Sequence, residues 1–272
     1  MKIGIFDSGI GGLSVLHEAY HMLNDTEYIF YADTDHVPYG TKTPDEIRTY
    51  SEEIVKFLIS KGCQAIIIAC NTATSVSAKK LRELHHDIPI IGMEPAVKPA
   101  IEENDERRIL VMATPVTLRE AKLKNLIARV DEKHKVDLLP MPGLVSLAEN
   151  EDFSPGKVLP YLTQQFEGFS SRDYSALVLG CTHFNYFKAE YRNFFNDSTS
   201  LIDGNKGTLR HVADLLSIEL NKDEDKELIF KDINEMLDMT HTSYYFSGRP
   251  AHESELGHIF RLHKRLEKVR KI

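Results

Sequence analysis

The sequence predicts an α/β protein: two similar doubly wound α/β domains with mainly parallel sheets and a site in the cleft between them. Three observations carry this expectation. Short, nearly continuous apolar runs alternate with longer amphipathic stretches along most of the chain, as strands buried on both faces alternate with crossover helices. The length, 272 residues, is comfortable for two domains. The pattern also repeats. Ile3–Phe6 followed by Asp7-Ser8-Gly9 is echoed 106 residues later by Ile109–Met112 followed by Ala113-Thr114-Pro115, and AIIIACNTAT (65–74) is echoed 111 residues later by ALVLGCTHF (176–184).

Taken in order, the expected strands are Ile3–Phe6, Tyr28–Tyr31, Ala65–Ala69, Ile88–Gly92, Ile109–Met112, Lys135–Leu139, Ala176–Leu179 and Ser200–Ile202. Each is short and rich in branched aliphatic or aromatic residues. Helical periodicity marks Pro44–Lys61, Ser75–His86, Thr117–Val130 and Gly207–Asn221. Polar, acidic 221–226 reads as an exposed loop, and basic 261–271 as a solvated C-terminal helix.

The bulk properties exclude several classes. A net charge of −8 without a basic domain argues against a nucleic-acid partner. No apolar run approaches the ~18 residues needed to span a membrane. MKIGIF runs straight into polar, Gly-rich sequence with no signal-peptide pattern, so a cytoplasmic location is expected. Three cysteines, an odd number with no C-x-x-C spacing, point to free thiols rather than disulfides or zinc. No metal site is expected; adjacent His85 and His86 read as solvated surface.

DSGIGG (7–12) follows the first strand and precedes a helix. A dinucleotide fingerprint would need a third glycine where Ser14 stands, so nicotinamide or flavin binding is set aside, although Asp33 follows the second strand as that motif would want. The milder reading is a sharp turn at the carboxyl end of a strand, with helix N–H groups free to meet an anion. Asp7 is there a candidate polar or catalytic group, or simply a helix cap.

Cys70 (in ACNTA) and Cys181 (in GCTHF) both end an apolar strand and precede a hydrogen-bonding residue. A helix N-terminus after Cys70 would lower its thiol pKa. Cys63, at the end of a helix without a polar cluster, reads as inert. A cysteine with a nearby histidine, as in Cys181 with His183, suits either a nucleophile–base pair or half of an acid–base pair. Two cysteines at equivalent points of two facing domains favour the second, with one thiol on each side of a ligand. Racemisation needs that arrangement: a base on one face of a carbon, an acid on the other, and prearranged polar groups to stabilise the carbanion-like transition state.

On these residues the chain resembles the glutamate racemases of the aspartate/glutamate racemase superfamily. The matching stretches are DSGIGGLSV (7–15), VPYGTK (37–42), ACNTAT (69–74), ATPVT (113–117), LVSLAE (144–149), GCTHF (180–184) and LIDG (201–204), in the family's order. The resemblance implies cofactor-independent interconversion of L- and D-glutamate for peptidoglycan synthesis. It implies Cys70 acting on the D-isomer and Cys181 on the L-isomer, Asp7 assisting the first thiol, and His183 with Glu149 the second. It also implies substrate contacts from Asp7, Ser8, Pro38, Tyr39, Gly40, Asn71, Thr72, Thr114, Thr117, Thr182 and His183; for Tyr39 and Glu149 residue-level reasoning alone favours turn packing and a solvated helix charge. The layout it implies joins 1–92 with 208–272 in one domain and leaves 93–207 in the other, with crossings near Gly92 and Gly207, and the expected assembly is a homodimer.

Two positions depart from the family pattern. Asn185-Tyr186 stand where Pro-Leu is common, and GMEPAVKPA (92–100) is one residue short at its front. The chain starts directly at its first strand, so no N-terminal extension of the kind linked to effector control in some members is expected. Three rivals remain: a racemase for aspartate or another amino acid, a cysteine hydrolase using one thiol, and a non-catalytic amino-acid-binding protein. His183, where aspartate-type members resemble GCTE, favours glutamate.

Overall fold

A computed structural model describes residues 1–103 and 106–272. The first half runs β1 (Lys2–Asp7), α1 (Leu13–Met22), β2 (Glu27–Ala32), α2 (Pro44–Ser60), β3 (Ala65–Ile68), α3 (Asn71–Leu84) and β4 (Ile90–Gly92). The second runs α4 (Val97–Glu103), β5 (Arg108–Ala113), α5 (Pro115–Arg119), α6 (Ala121–Val130), β6 (Val136–Pro140), α7 (Pro142–Glu149), α8 (Pro155–Gln165), β7 (Tyr174–Gly180), α9 (Lys188–Tyr191) and β8 (Ser200–Ile202). The chain closes with α10 (Asn205–Leu216), α11 (Ile233–Thr240), β9 (Thr242–Phe246), β10 (Arg249–Pro250) and α12 (Glu253–Val269).

Two sheets result, ordered β10-β9-β2-β1-β3-β4 and β6-β5-β7-β8. Every pairing is parallel except β9 with β10. Four adjacent strands of the first sheet, β2-β1-β3-β4, follow the same order as β6-β5-β7-β8, so the sequence repeat is a repeat of topology. In each, the order reverses beside the first strand, which opens a crevice at the carboxyl ends.

Alternate residues of the central strands serve different cores. Ile3, Ile5, Ile67, Leu110, Met112, Leu177 and Leu179 join one cluster shared by both halves. Phe6, Ile66 and Ile68 face a second with Ile54 and Leu58 of α2, and Ile109, Val111, Ala176 and Val178 a third with Leu123 of α6. Burial on both faces explains why these runs carry almost no polar residue.

Several elements differ from expectation. Helix α3 begins at Asn71 rather than Ser75, because Cys70 caps it by accepting the Ala73 N–H at 3.4 Å. The helix expected over 117–130 starts at Pro115 and breaks at Glu120, whose backbone is extended. Strands β9 and β10 were not anticipated; β9 pairs with β2, using an aromatic run, TSYYF, of good strand propensity. The basic C-terminal helix is not merely solvated: α12 buries Ile259, Leu262, His263, Leu266 and Val269, one face at helical spacing. Among the described residues no helix is long and apolar enough to cross a membrane.

Candidate active site

The carboxyl ends of the parallel strands in both sheets open on one cavity of about 310 Å³. Asp7 ends β1, Cys70 follows β3 and caps α3, Thr114 follows β5 and caps α5, and Cys181 follows β7. The turn after β2 adds Pro38, Tyr39 and Gly40. Asn71, Thr72, Thr182 and His183 complete the expected wall. Both thiols therefore face the same space, one from each half, while Cys63 lies buried elsewhere, its thiol pushed up to about 11 by burial.

Two expected residues stand behind the wall rather than in it. Thr117 is buried, and its hydroxyl closes a ring with Thr72 at 3.2 Å and Thr114 at 3.0 Å, which ties α3 to α5 across the two halves. The break after α5 leaves that helix free to hold Thr117 there while α6 packs on α4. Glu149, at the end of α7, sits behind His183.

The two thiols have different surroundings. The Cys70 thiol donates to the Ser8 hydroxyl at 3.7 Å, and Ser8 donates to Asp7 Oδ1 at 3.2 Å. Asp7 is fully buried; it also accepts the Gly9 N–H at 3.1 Å and the Thr182 hydroxyl at 2.8 Å. Burial pushes the Asp7 carboxyl up, against the pull of His183 and these hydrogen bonds. The expected lowering of the Cys70 thiol does not occur. Burial and the neighbouring Asp7 push it up to about 12, and the Ala73 N–H offsets only part of this, because desolvation of a buried thiolate outweighs one helix N-terminus.

On the other side, Cys181 Sγ lies 3.7 Å from His183 Nδ1, and His183 Nε2 lies 2.6 Å from Glu149 Oε1. Burial disfavours a charged His183, but its hydrogen bonds and charge interactions with Cys181 and Glu149 hold its pKa well above the usual value. Glu149 Oε1 also accepts the Ile10 N–H at 2.9 Å.

That last bond corrects the reading of DSGIGG. Its N–H at Ile10 meets a protein carboxylate, not a ligand anion, and the glycines serve close approach. A Cβ on Gly9 would overlap the Glu149 carboxylate, and one on Gly11 the ring of His183. Asp7 does not cap α1, whose N-terminus takes no side-chain cap.

Residues 13–212 match the Asp/Glu/Hydantoin racemase family. The chain belongs to that family. A glutamate racemase of Lachnospira eligens is 48% identical over 278 residues, spanning the whole of both chains. The crystal structure of glutamate racemase from Campylobacter jejuni subsp. jejuni is similar with a TM-score of 0.77 at 27% identity, covering 98% of each chain. That of Escherichia coli glutamate racemase, in complex with L-glutamate and activator UDP-MurNAc-ala, is similar with a TM-score of 0.75 at 28% identity, over 90% of this chain and 97% of that one.

In this racemase the sequence reading missed part of the wall. Thr41, Pro115 and the start of α7, namely Pro142, Gly143, Val145 and Ser146, also line the cavity. Helix α7 was visible as LVSLAE, but only Glu149 was singled out, since nothing in its periodicity marks the first turn as facing a site. The Asn185-Tyr186 departure is structural: Tyr186 is buried and donates to the Ile10 carbonyl at 2.9 Å, so it braces the glycine turn.

Proposed function

We propose that this isomerase interconverts L- and D-glutamate, without a cofactor, by proton transfer at Cα between Cys70 and Cys181. The observation that carries the reading is the placement of the two thiols in one cavity, each backed by its own hydrogen-bonded chain. Cys70 leads through Ser8 to Asp7, and Cys181 through His183 to Glu149.

For L-glutamate, Cys181 acts as thiolate and takes the α-proton from one face. The protonated His183 stabilises that thiolate through Nδ1–H, and Glu149 holds the imidazolium. The C–H electron pair passes into the α-carboxylate as a carbanion-like species, and the Cys70 thiol delivers its proton to the opposite face. Burial keeps Cys70 protonated at rest, which is the state this direction needs. For the D-isomer the roles exchange: Asp7 accepts the Cys70 proton through Ser8, the protonated His183 returns one to Cys181, the Cys70 thiolate takes the α-proton, and the Cys181 thiol protonates the opposite face. No lysine or arginine is among the cavity-lining residues. The hydroxyls of Thr72 and Thr114 meet the substrate's carboxylates, joined by Ser8 and Thr182 when these turn from Asp7, to which both now donate; the buried Asn71 Oδ1, without a partner among the described residues, is free to accept from the ammonium group. By this reading D-glutamate goes to peptidoglycan synthesis, the protein is cytoplasmic, and it acts as a homodimer.

The test is α-proton exchange by NMR in D₂O with L- and D-glutamate and no cofactor, on the wild type, Cys70→Ser and Cys181→Ser. Exchange with inversion in the wild type, and turnover reduced by roughly 10²–10⁴-fold in both variants, is the expected result. Full exchange and inversion after loss of either thiol would exclude the two-thiol mechanism. No exchange with glutamate would move the test to aspartate.

A further inference from the structure

Outside the site, α1 and α12 bury a second cluster of titratable side chains. His17 and His21 lie one turn apart on α1, and His263 and Glu267 one turn apart on α12. The Nε2 atoms of His17 and His21 both lie 2.8 Å from the same oxygen, Glu267 Oε2. One donor atom each from His17, His21 and Glu267 falls within 4.8 Å of the others. Both histidines are buried, and the Glu267 side chain is 14% exposed.

We propose that His17, His21 and Glu267 form a binding site for a divalent first-row transition-metal ion of the zinc class, which clamps the C-terminal helix α12 onto α1. Two imidazoles and a carboxylate are a donor set zinc takes at about 2.0–2.2 Å, with water in the fourth position. Histidines at i and i+4 present their rings on one helix face, as such a site requires.

Three further features suit an ion. The other oxygen of the carboxylate, Glu267 Oε1, is buried and has no hydrogen-bond partner among the described residues, so it is free to rotate toward a cation. His17 has an orienting partner behind it: its Nδ1 lies 3.0 Å from Nδ1 of His263, whose Nε2 lies 3.4 Å from the hydroxyl of Tyr244. An Nδ1–H on His17 donated along that chain leaves Nε2 as the free lone pair, the usual outer-shell support of a metal-bound histidine. Finally, a small cavity lined by His17, Glu18, Asp203, Lys188 and Arg270 adjoins the cluster at His17.

The protonation states agree. Burial would raise the Glu267 carboxyl, but hydrogen bonds and charge from His17 and His21 outweigh it and hold it at about 2. Burial lowers the proton affinity of His21 and of His263. A metal binds the ionised carboxylate and each imidazole at a deprotonated Nε2, so coordination leaves any remaining ring proton on Nδ1 and releases the others. Arg270, whose charge acts on His21, is paired with Glu18 at 2.9 and 3.0 Å. Nothing here depends on the reaction proposed above.

Because the active-site thiols could bind the same ions, the test begins from chelator-treated Cys70→Ser/Cys181→Ser protein, titrated with Co²⁺ as a spectroscopic probe and with Zn²⁺ in competition. One equivalent bound with a nitrogen–oxygen visible spectrum and no thiolate charge-transfer band is expected, together with a rise of several degrees in the Tm of this thiol-free protein with Zn²⁺. His21→Gln and Glu267→Gln, each checked for folding by circular dichroism, should each lose at least tenfold in affinity. Failure of the thiol-free protein to bind either ion overturns the site. So does binding unchanged in either folded variant, or binding without any gain in Tm.

Discussion

Glu149 Oε1 lies 2.6 Å from Nε2 of His183 and accepts the Ile10 N–H as well. One carboxylate from the second half of the chain therefore fixes both the imidazole beside Cys181 and the glycine turn of the first half. Its removal should be felt at the reaction rather than in the core.

Glu149→Gln should reduce kcat/KM by roughly 10²-fold. The loss must be equal for both enantiomers, because they have the same free energy in solution and the equilibrium constant is unity. The pH profile separates this role from a structural one. The carboxylate helps to hold His183 protonated, so without it the alkaline limb of kcat/KM should move to lower pH. An unmoved limb would reduce Glu149 to a brace for the turn.

Gly11→Ala places a methyl group in the ring of His183 and against the hydroxyl of Thr182. Crowding of this kind costs about 1–3 kcal/mol. A lower Tm and a kcat reduced by more than tenfold are expected, with the secondary structure intact by circular dichroism. Wild-type activity would mean that the ring has room to retreat and that its position is not critical.

Arg270 and Glu18 form a pair whose side chains are only 6% and 9% exposed. Arg270→Ala leaves the Glu18 carboxylate buried, with Lys206 at 3.8 Å as its remaining cation. Loss of one partner of a buried pair is expected to lower stability by about 3 kcal/mol, read from urea unfolding. Glu18→Gln/Arg270→Met should recover much of it, since neither uncompensated charge then remains.

The depressed Glu267 carboxyl gives a pH signature. Its folded pKa of about 2 lies below the ordinary 4.5, so its stabilising contribution is complete above 4.5 and is lost as pH falls toward 2. With chelator present, the stability gap between wild type and Glu267→Gln should be constant near neutrality and narrow as pH falls below about 5. A gap that does not change with pH would show that the carboxylate is not held ionised by His17 and His21.

Local patterning decided much of this molecule. Short, largely apolar runs marked eight of the parallel strands, those at the sheet centres being buried on both faces, and the repeated strand-to-cysteine segments marked equivalent positions for Cys70 and Cys181. Tertiary structure decided what no local pattern encodes. Strands β9 and β10 form where an edge of the first sheet is open beside β2. The Cys70 thiol is governed by burial against Asp7 rather than by its helix. Gly9 and Gly11 of DSGIGG are explained by Glu149 and His183, more than 130 residues away in sequence. The sequence singles out neither His17 nor His21 and predicts no metal site; their relation to Glu267 exists only once α12 has folded back across α1. Periodicity records which face of an element is buried; charge, desolvation and close approach depend on what that face meets.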